Sequence, residues 1–372
     1  MRILYFVNGL NYKGGIARIV VDKANYLADI FQYEVNICVL NGELNSAYEL
    51  SENVHLVSLS KNRSSFLFDS IFRKFLAIIP LIHKTRNCIK AIRPDIVVNS
   101  QAVVLTWILP FIVKNVPKVM EIHLSKNGII HNIKDKNRLF QWLYMKCIEW
   151  FYSQYNRFVI LTEEDRSNWH CPNIEVIGNF TRLTDQKLSP LNSNKIICVA
   201  RYHFHKRLDL LISSWKLIAE KYPKWEIHVY GMGPDKYQLE QKIKEVGLSG
   251  SLYLHPATDK VEDKYLDSSI FVLTSEHEGF ALVLLEAMQM GLPICAMDVV
   301  GVRGIVENGR SGLLAPFGNV QVFADNLGIL IESPELRMKL REEGLNEIKK
   351  YDVIKTMEKW NNLFLRLIVE KK

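Results

Sequence analysis

Short β-branched runs alternate with longer amphipathic stretches along the whole of this 372-residue chain. The runs at 3–7, 35–39, 54–59, 95–99, 118–122 and 158–161 read as strands in the first half. Those at 195–200, 226–230, 251–255, 270–273 and 293–296 do so in the second. Helical stretches follow most of them, at 15–28, 208–221, 236–246, 280–290 and 320–330. Strands that alternate with helices predict parallel sheets covered by helices on both faces. The chain is too long for one ordinary core, and its composition changes at TRLTDQKLSPLNSN (181–194), which is polar, contains proline and lacks aromatics. The expected organisation is a first domain over 1–182, a linker over 183–194 and a second domain over 195–351. A terminal helix over 352–372 is expected to pack back on the first domain. The fold class is therefore α/β, with two doubly wound domains facing a central cleft and ligands at the carboxyl ends of the strands.

With 48% apolar and 23% charged residues the composition is that of an ordinary globular protein. Cys38, Cys88, Cys147, Cys171, Cys198 and Cys295 are scattered without a CxxC pair, which argues against a disulfide framework or a structural zinc site. The first residues, MRILYFVNGL, are broken at Asn8-Gly9 and lack a small-residue cleavage site, so no secretory signal is expected. The apolar stretch 103–113 is 11 residues with Pro110 inside, too short to span a bilayer. The expected location is the cytoplasm, peripheral at the inner face of the plasma membrane. Residues 61–93 carry Lys61, Arg63, Arg73, Lys74, Lys84, Arg86, Lys90 and Arg93 against Asp69 alone, a surplus equal to the net charge of +7. Interleaved with Phe, Ile and Leu, this segment has the composition of a basic amphipathic helix at an anionic membrane. The alternative is a helix whose apolar face packs on its own domain, and Pro80 interrupts the pattern. No nucleic-acid partner is expected.

Residues 275–293 read SEHEGFALVLLEAMQMGLP, with Glu278 and Glu286 bracketing an apolar run. A buried carboxylate is costly unless something pairs with it. The stretch follows the expected strand 270–273, and the helix that begins near Phe280 stops at Gly291 with Pro293 beyond. Glu278 then lies at the helix N-terminus, where free N–H groups favour an anion such as a diphosphate. Glu286 lies about two turns in, where a carboxylate can accept hydrogen bonds from sugar hydroxyls or pair with a basic side chain. Two carboxylates also raise the possibility of a glycosidase, whose pair stands about 5–9.5 Å apart. Eight residues of continuous helix separate these two by ~12 Å at ~1.5 Å per residue, which argues against hydrolysis. In VARYHFHKRLDLLI (199–212), Arg201 and Lys206 emerge at a strand's carboxyl end, where they could neutralise a diphosphate or stand as exposed surface cations.

These motifs together resemble a known family. HEGFALVLLEAMQMGLPICAMD is similar to the glutamate–seven–glutamate motif of the retaining glycosyltransferases of family 4, of bacterial surface-polysaccharide type. VARYHFHKRLDLLI resembles their donor-phosphate arginine and lysine, and YGMGPDKYQLE their glycine turn. GIVENGRSGLLAPFGN, the early NYKGGIARIVVDKANYLA and VIGNF match further segments. The likeness is nearly continuous over 195–320 and patchy over 1–180. It implies a GT-B fold, with two Rossmann-like domains, the nucleotide-sugar donor on the second and the acceptor mainly on the first. It implies that Glu286 holds the donor ribose, that Glu278 and His123 contact the transferred sugar, and that Arg201 and Lys206 hold the diphosphate. Gly14 and Gly15 would line the donor phosphate, and Gly279, Phe280 and Ala281 would complete the donor set.

Arg207, Ala281, Gly304, Gly178 and Pro256 depart from the usual family pattern and leave the donor's identity open. No Asp-x-Asp occurs and no cofactor is expected, so cations and helix N–H groups are expected to stabilise the leaving nucleotide. The Gly9…Gly14-Gly15 spacing does not match GxGxxG, which argues against a dehydrogenase. The implied function is retaining, metal-independent transfer from a nucleoside-diphosphate sugar to a hydroxyl of a saccharide or lipid-linked saccharide. UDP-sugar is the favoured donor and GDP-sugar the second. The alternatives are a nucleotide-sugar epimerase of the same architecture and a non-catalytic nucleotide-sugar-binding subunit.

Overall fold

The structure is a computed structural model that describes residues 1–371 apart from 13, 41–43, 60–70, 101, 103 and 182–186; the side chains of 71–77 also lie outside the description. The chain forms two units, 1–179 together with 354–372, and 180–353.

The first unit is built on a seven-stranded sheet of β1 (Arg2–Val7), β2 (Glu34–Val39), β3 (Val54–Ser58), β4 (Ile96–Ser100), β5 (Lys118–Glu121), β6 (Arg157–Ile160) and β7 (Ile174–Val176). The order is β3-β2-β1-β4-β5-β6-β7, and every pairing is parallel. β1 and β4 are almost wholly buried because helices cover both faces, which is why they read as unbroken apolar runs. The chain reverses its direction of travel across the sheet between β1 and β4, and this switch point places the ends of β1, β4 and β5 on one edge. The terminal helix Val353–Glu370 belongs to this unit from Ile354 onward. Met357, Trp360, Phe364 and Leu367 recur at helical spacing on its buried face, and the Asn361 side chain accepts from Tyr33 Oη at 2.6 Å.

The second unit carries a six-stranded sheet of β8 (Lys195–Val199), β9 (Glu226–Tyr230), β10 (Leu252–His255), β11 (Ile270–Leu273), β12 (Ile294–Asp298) and β13 (Gly312–Pro316). Its order is β10-β9-β8-β11-β12-β13, again all parallel. Here the switch point falls between β8 and β11, whose register sets Phe271 across from Ile197. The loops that leave these two strands therefore start level with each other, and they carry both sequence motifs singled out above. Trp215, fully buried, anchors one face of the sheet and donates its indole N–H to Ser251 Oγ at 3.0 Å.

All eleven expected strands are present, together with β7 and β13. β7 is three half-buried residues, too short for a periodic signal. β13 reads GLLAP, bounded by a glycine and a proline, residues that favour turns over strands. The helix Ile71–Ile92 runs through Pro80 instead of breaking there. In its described half Leu81, Thr85 and Ile89 are buried at four-residue spacing while Lys84, Arg86 and Lys90 are exposed, so this half packs on its own unit. The rest of the basic segment, 61–70, and residues 183–186 of the expected linker lie outside the described residues. Beyond them Ser189 and Leu191 are buried, with Ser189 Oγ donating to the Ser268 carbonyl at 2.5 Å.

Candidate functional site

In the second unit the chain leaves β8 into residues 200–207. Pairing with the neighbouring loop continues beyond the strand, Ala200 N–H donating to Tyr230 O and Tyr202 N–H to Met232 O at 3.1 and 2.9 Å. The backbones are so close that a Cβ on Gly231 would lie 1.9 Å from Ala200 O, and one on Gly233 2.1 Å from Tyr202 O. The glycines of YGMGP are thus required by contact with the two residues that flank Arg201. Tyr202 is fully buried below, its hydroxyl donating to the Val229 and His255 carbonyls. Arg201 itself is exposed and has no ion pair among the described residues. Lys206 ends a short 3-10 turn, Phe204–Lys206, and Arg207 follows at φ 47, ψ 42. A left-handed residue explains the family's usual glycine, since a side chain there costs ~1–2 kcal/mol. Arg207 is held by a two-point contact with Asp209, both distances 3.0 Å.

The chain leaves β11 into residues 274–281. Thr274 Oγ1 donates to Lys206 O at 3.1 Å, and Glu276 N–H to His205 O at 2.9 Å, which ties this loop to the first. Lys206 Nζ donates to Glu278 Oε1 at 2.7 Å, with side chains 25% and 11% exposed. A Cβ on Gly301 would lie 2.5 Å from Glu278 O, so this glycine lets the turn after β12 press against Glu278. Below the pair Cys198 is buried, and burial pushes its thiol up to about 12, against the opposing pull of Lys206. Ser275 is buried with its hydroxyl unpartnered among the described residues.

The helix begins at Leu282, two residues later than expected, and ends at Gln289. Phe280 and Ala281 precede it with their side chains buried, Phe280 standing edge-on to Tyr351 at 5.5 Å. Gly279 lies in the loop before them, and what residues 279–281 offer a ligand is mainly backbone. Glu286 is the fifth residue of the helix, little more than one turn in, and the two acids do not share a continuous helix. The ~12 Å separation expected from helical rise therefore does not apply. The Tyr265 hydroxyl, from the helix Val261–Leu266, donates to Glu286 Oε2 at 2.9 Å.

In the first unit Gly14 precedes the helix Gly15–Asp29 in extended conformation, its N–H donating to Tyr48 Oη at 3.1 Å. A Cβ there would lie 3.1 Å from the Tyr12 ring, so close approach explains the residue where backbone angle does not. Beside it a small cavity of about 80 Å3 opens between Asn8, Gly9, Tyr12, Ile16 and Ser100. His123 follows β5 with its side chain 4% exposed and Nε2 at 2.9 Å from Ser100 Oγ. Lys23 Nζ donates to Glu121 Oε1, and His123 Nε2 lies 3.7 Å from the same oxygen. His123 Nδ1 and Glu121 Oε2 are both buried and unpartnered among the described residues.

Sequence models of two families match the chain: "Glycosyltransferase Family 4" over residues 13–184 and "Glycosyl transferases group 1" over 179–347. The chain belongs to glycosyltransferase family 4. An uncharacterized glycosyltransferase of Haemophilus influenzae is 28% identical over 97% of this chain and 99% of its own length. A poly(ribitol-phosphate) alpha-N-acetylglucosaminyltransferase of Staphylococcus aureus is 28% identical over 64% of this chain, and the chain spans half of that protein. The crystal structure of S. aureus TarM in complex with Fondaparinux, alpha-GlcNAc-glycerol and UDP matches with a TM-score of 0.78 at 17% identity, covering 98% of this chain and 99% of that one. The fold is GT-B, and the protein is a glycosyltransferase.

Among the site residues named from the sequence of this glycosyltransferase, Lys206 and Glu278 are in direct contact, and Arg201 lies on the same loop as Lys206. Lys23, Glu121, Ser100 and Tyr265 were not among them. A signal for two existed: Lys23 falls on the apolar stripe of its helix beside Val20, Ala24 and Leu27, and Glu121 interrupts the apolar strand KVME. Burial alone would raise the Glu121 carboxyl, but Lys23 and His123 outweigh it and hold it below the usual range. Lys23 is drawn down from its ordinary value by burial and sits 4.5 Å from the centre of the Trp360 ring.

Lys23→Met would leave Glu121 buried without its cation and is expected to cost about 3–5 kcal/mol of stability. The pair Lys23→Met with Glu121→Leu should recover most of that loss, as read from urea denaturation. Burial pushes the His123 imidazole down to about 4, with Lys23 adding to it and Glu121 opposing. The unfolded chain, titrating near its ordinary ~6.5, binds more protons in between. The resulting stability is present above pH ~6.5 and is lost as pH falls toward 4, by up to about 3 kcal/mol. His123→Asn should flatten that part of the urea-midpoint profile between pH 7 and 4.5.

Proposed function

We propose that the chain is a retaining, metal-independent transferase that moves a sugar from a UDP-sugar to a hydroxyl of a saccharide or lipid-linked saccharide in bacterial surface-polysaccharide synthesis. GDP-sugar is the second donor choice. The observation that carries the proposal is the Lys206–Glu278 pair at 2.7 Å, with the exposed Arg201 on the same loop as Lys206, at the switch point of the second sheet. A free carboxylate at that place would repel a diphosphate, and Lys206 cancels its charge until a donor arrives. Two cations and the positive end of the dipole of the helix Leu282–Gln289 then offset the charge that develops on the departing nucleotide.

In this scheme Glu286, held by Tyr265, accepts hydrogen bonds from the ribose hydroxyls. Glu278 and His123 bind hydroxyls of the transferred sugar, and Gly14, Gly15 and the backbone of 279–281 line the donor. The acceptor oxygen attacks the anomeric carbon on the face from which the phosphate leaves. The carbon–phosphate oxygen bond breaks, the new glycosidic bond forms, and the acceptor's proton passes to the leaving phosphate oxygen. Support for retention comes from the Staphylococcus relative, whose name gives an alpha linkage, since an α-linked donor yields an α-linked product only by retention. Support for UDP comes from TarM, which was crystallised with it. The site of action is placed in the cytoplasm, peripheral at the inner face of the plasma membrane.

Nucleotide release measured over a panel of UDP- and GDP-sugars, with and without lipid extract, tests the reading. UDP release that depends on an acceptor is expected. Conversion of the donor without any acceptor would indicate an epimerase, and binding without turnover a silent subunit. Glu286→Gln should abolish or severely reduce transfer. Tyr265→Phe should raise the donor KM roughly tenfold, the value of one hydrogen bond to a charged group, with folding unchanged.

A further inference from the structure

The helix Arg138–Ser153 of the first unit is apolar on two faces. Met145, Ile148 and Tyr152 are buried in the core behind β6. On the opposite side Leu139, Trp142, Leu143 and Trp150 recur at i, i+3, i+4 and i+11, and they are 66%, 57%, 52% and 53% exposed. Phe111, itself 43% exposed, stacks on Trp150 at 5.9 Å and widens the stripe. At ~150–250 Å2 for a large aromatic side chain, these residues expose roughly 500 Å2, at the upper end of what a monomer leaves open. Asn137 caps the helix by accepting from Phe140 N–H at 2.8 Å, so the stripe is presented from the first turn onward.

The surrounding charge says what fits it. Lys134, Lys136 and Arg138 are exposed at the N-terminal end of the stripe, Lys146 is exposed within it at i+7, and Asp135 is the one exposed acid in 131–150. Glu149 is buried and holds Lys126 at 2.6 Å, with Lys146 at 3.6 Å. Protein interfaces deplete lysine at their core, whereas a helix that lies in a bilayer interface combines tryptophan and leucine on one side with a lysine and arginine rim. Among the described residues no helix is long and apolar enough to cross a membrane. We propose that the outer face of the helix Arg138–Ser153 docks the first unit on an anionic lipid surface, with Leu139, Trp142, Leu143 and Trp150 entering the headgroup region and the four cations meeting lipid phosphates. These residues are distinct from the basic segment 61–93, and the proposal does not depend on the donor or the acceptor.

The test sediments the full chain with vesicles of phosphatidylglycerol and phosphatidylcholine, or of phosphatidylcholine alone. Binding is expected with the anionic vesicles and should fall as salt is raised. The triple variant Leu139→Ser, Trp142→Ser, Leu143→Ser should lose binding at least tenfold. Lys134→Gln, Lys136→Gln and Arg138→Gln together should lose it roughly a hundredfold, given a factor of about five per cation at such a surface. Both variants should keep the wild-type far-ultraviolet circular dichroism and the wild-type rate of nucleotide release with a soluble acceptor, a readout that stands or falls separately. The proposal is overturned if the wild-type chain ignores anionic vesicles. It is also overturned if only neutralising Arg73, Lys74, Lys84 and Arg86 abolishes binding, or if the stripe variant instead dissociates a dimer that shows no vesicle binding.

Discussion

Parallel pairing of β8 with β11 is the constraint from which the candidate donor site follows. Neither strand is the sequence neighbour of the other, since β9 and β10 intervene in the chain but lie on the far side of β8. Because the two strands run parallel and in level register, the loops that leave them must meet. Those loops carry Arg201 and Lys206 on one side and Glu278 on the other. Close contacts at Gly231 and Gly233 seat the first loop against the loop after β9, and Gly301 seats the second against the turn after β12. The 2.7 Å ion pair is therefore a consequence of topology.

The first unit solves a different problem at its own switch point. A lysine, a glutamate, a serine and a histidine are buried together, and burial of that much polarity is tolerated only when donors and acceptors match. Here the ammonium satisfies one carboxylate oxygen, and the serine hydroxyl shares a hydrogen bond with Nε2 of the imidazole. What is left over is Nδ1 of His123 and the second carboxylate oxygen of Glu121. A buried ring nitrogen without a protein partner is free to meet a ligand group, and it gives physical content to a residue that the sequence marks only by family resemblance.

Much of the fold was legible in the chain. Eleven of its strands show as β-branched runs, and the breaks at Gly291 and Pro293 mark a real helix end. The two missed strands are a three-residue run and a segment bounded by glycine and proline, where local propensity opposes the tertiary pairing. The start of the helix carrying Glu286 was misplaced because Phe280 and Ala281 are buried by packing, which hydrophobic periodicity counts as helix. Of the site, the motif residues Arg201, Lys206, Glu278 and Glu286 were readable, while Tyr265 was not, since nothing in its own helix signals a partner 21 residues away.

By itself the sequence determined the parallel α/β architecture, the positions of most elements and the charged loops at strand ends, because periodicity, turn chemistry and helix punctuation act over a few residues. Only the tertiary structure decided which of those groups meet. It set Lys23 against Glu121 across 98 residues, brought Cys88 Sγ to 3.8 Å from Cys38 Sγ, and turned Trp142 and Trp150 outward. Such proximity depends on strand order and on which face of a helix the core claims. Both are set by the packing of the whole unit, and no local spacing encodes them.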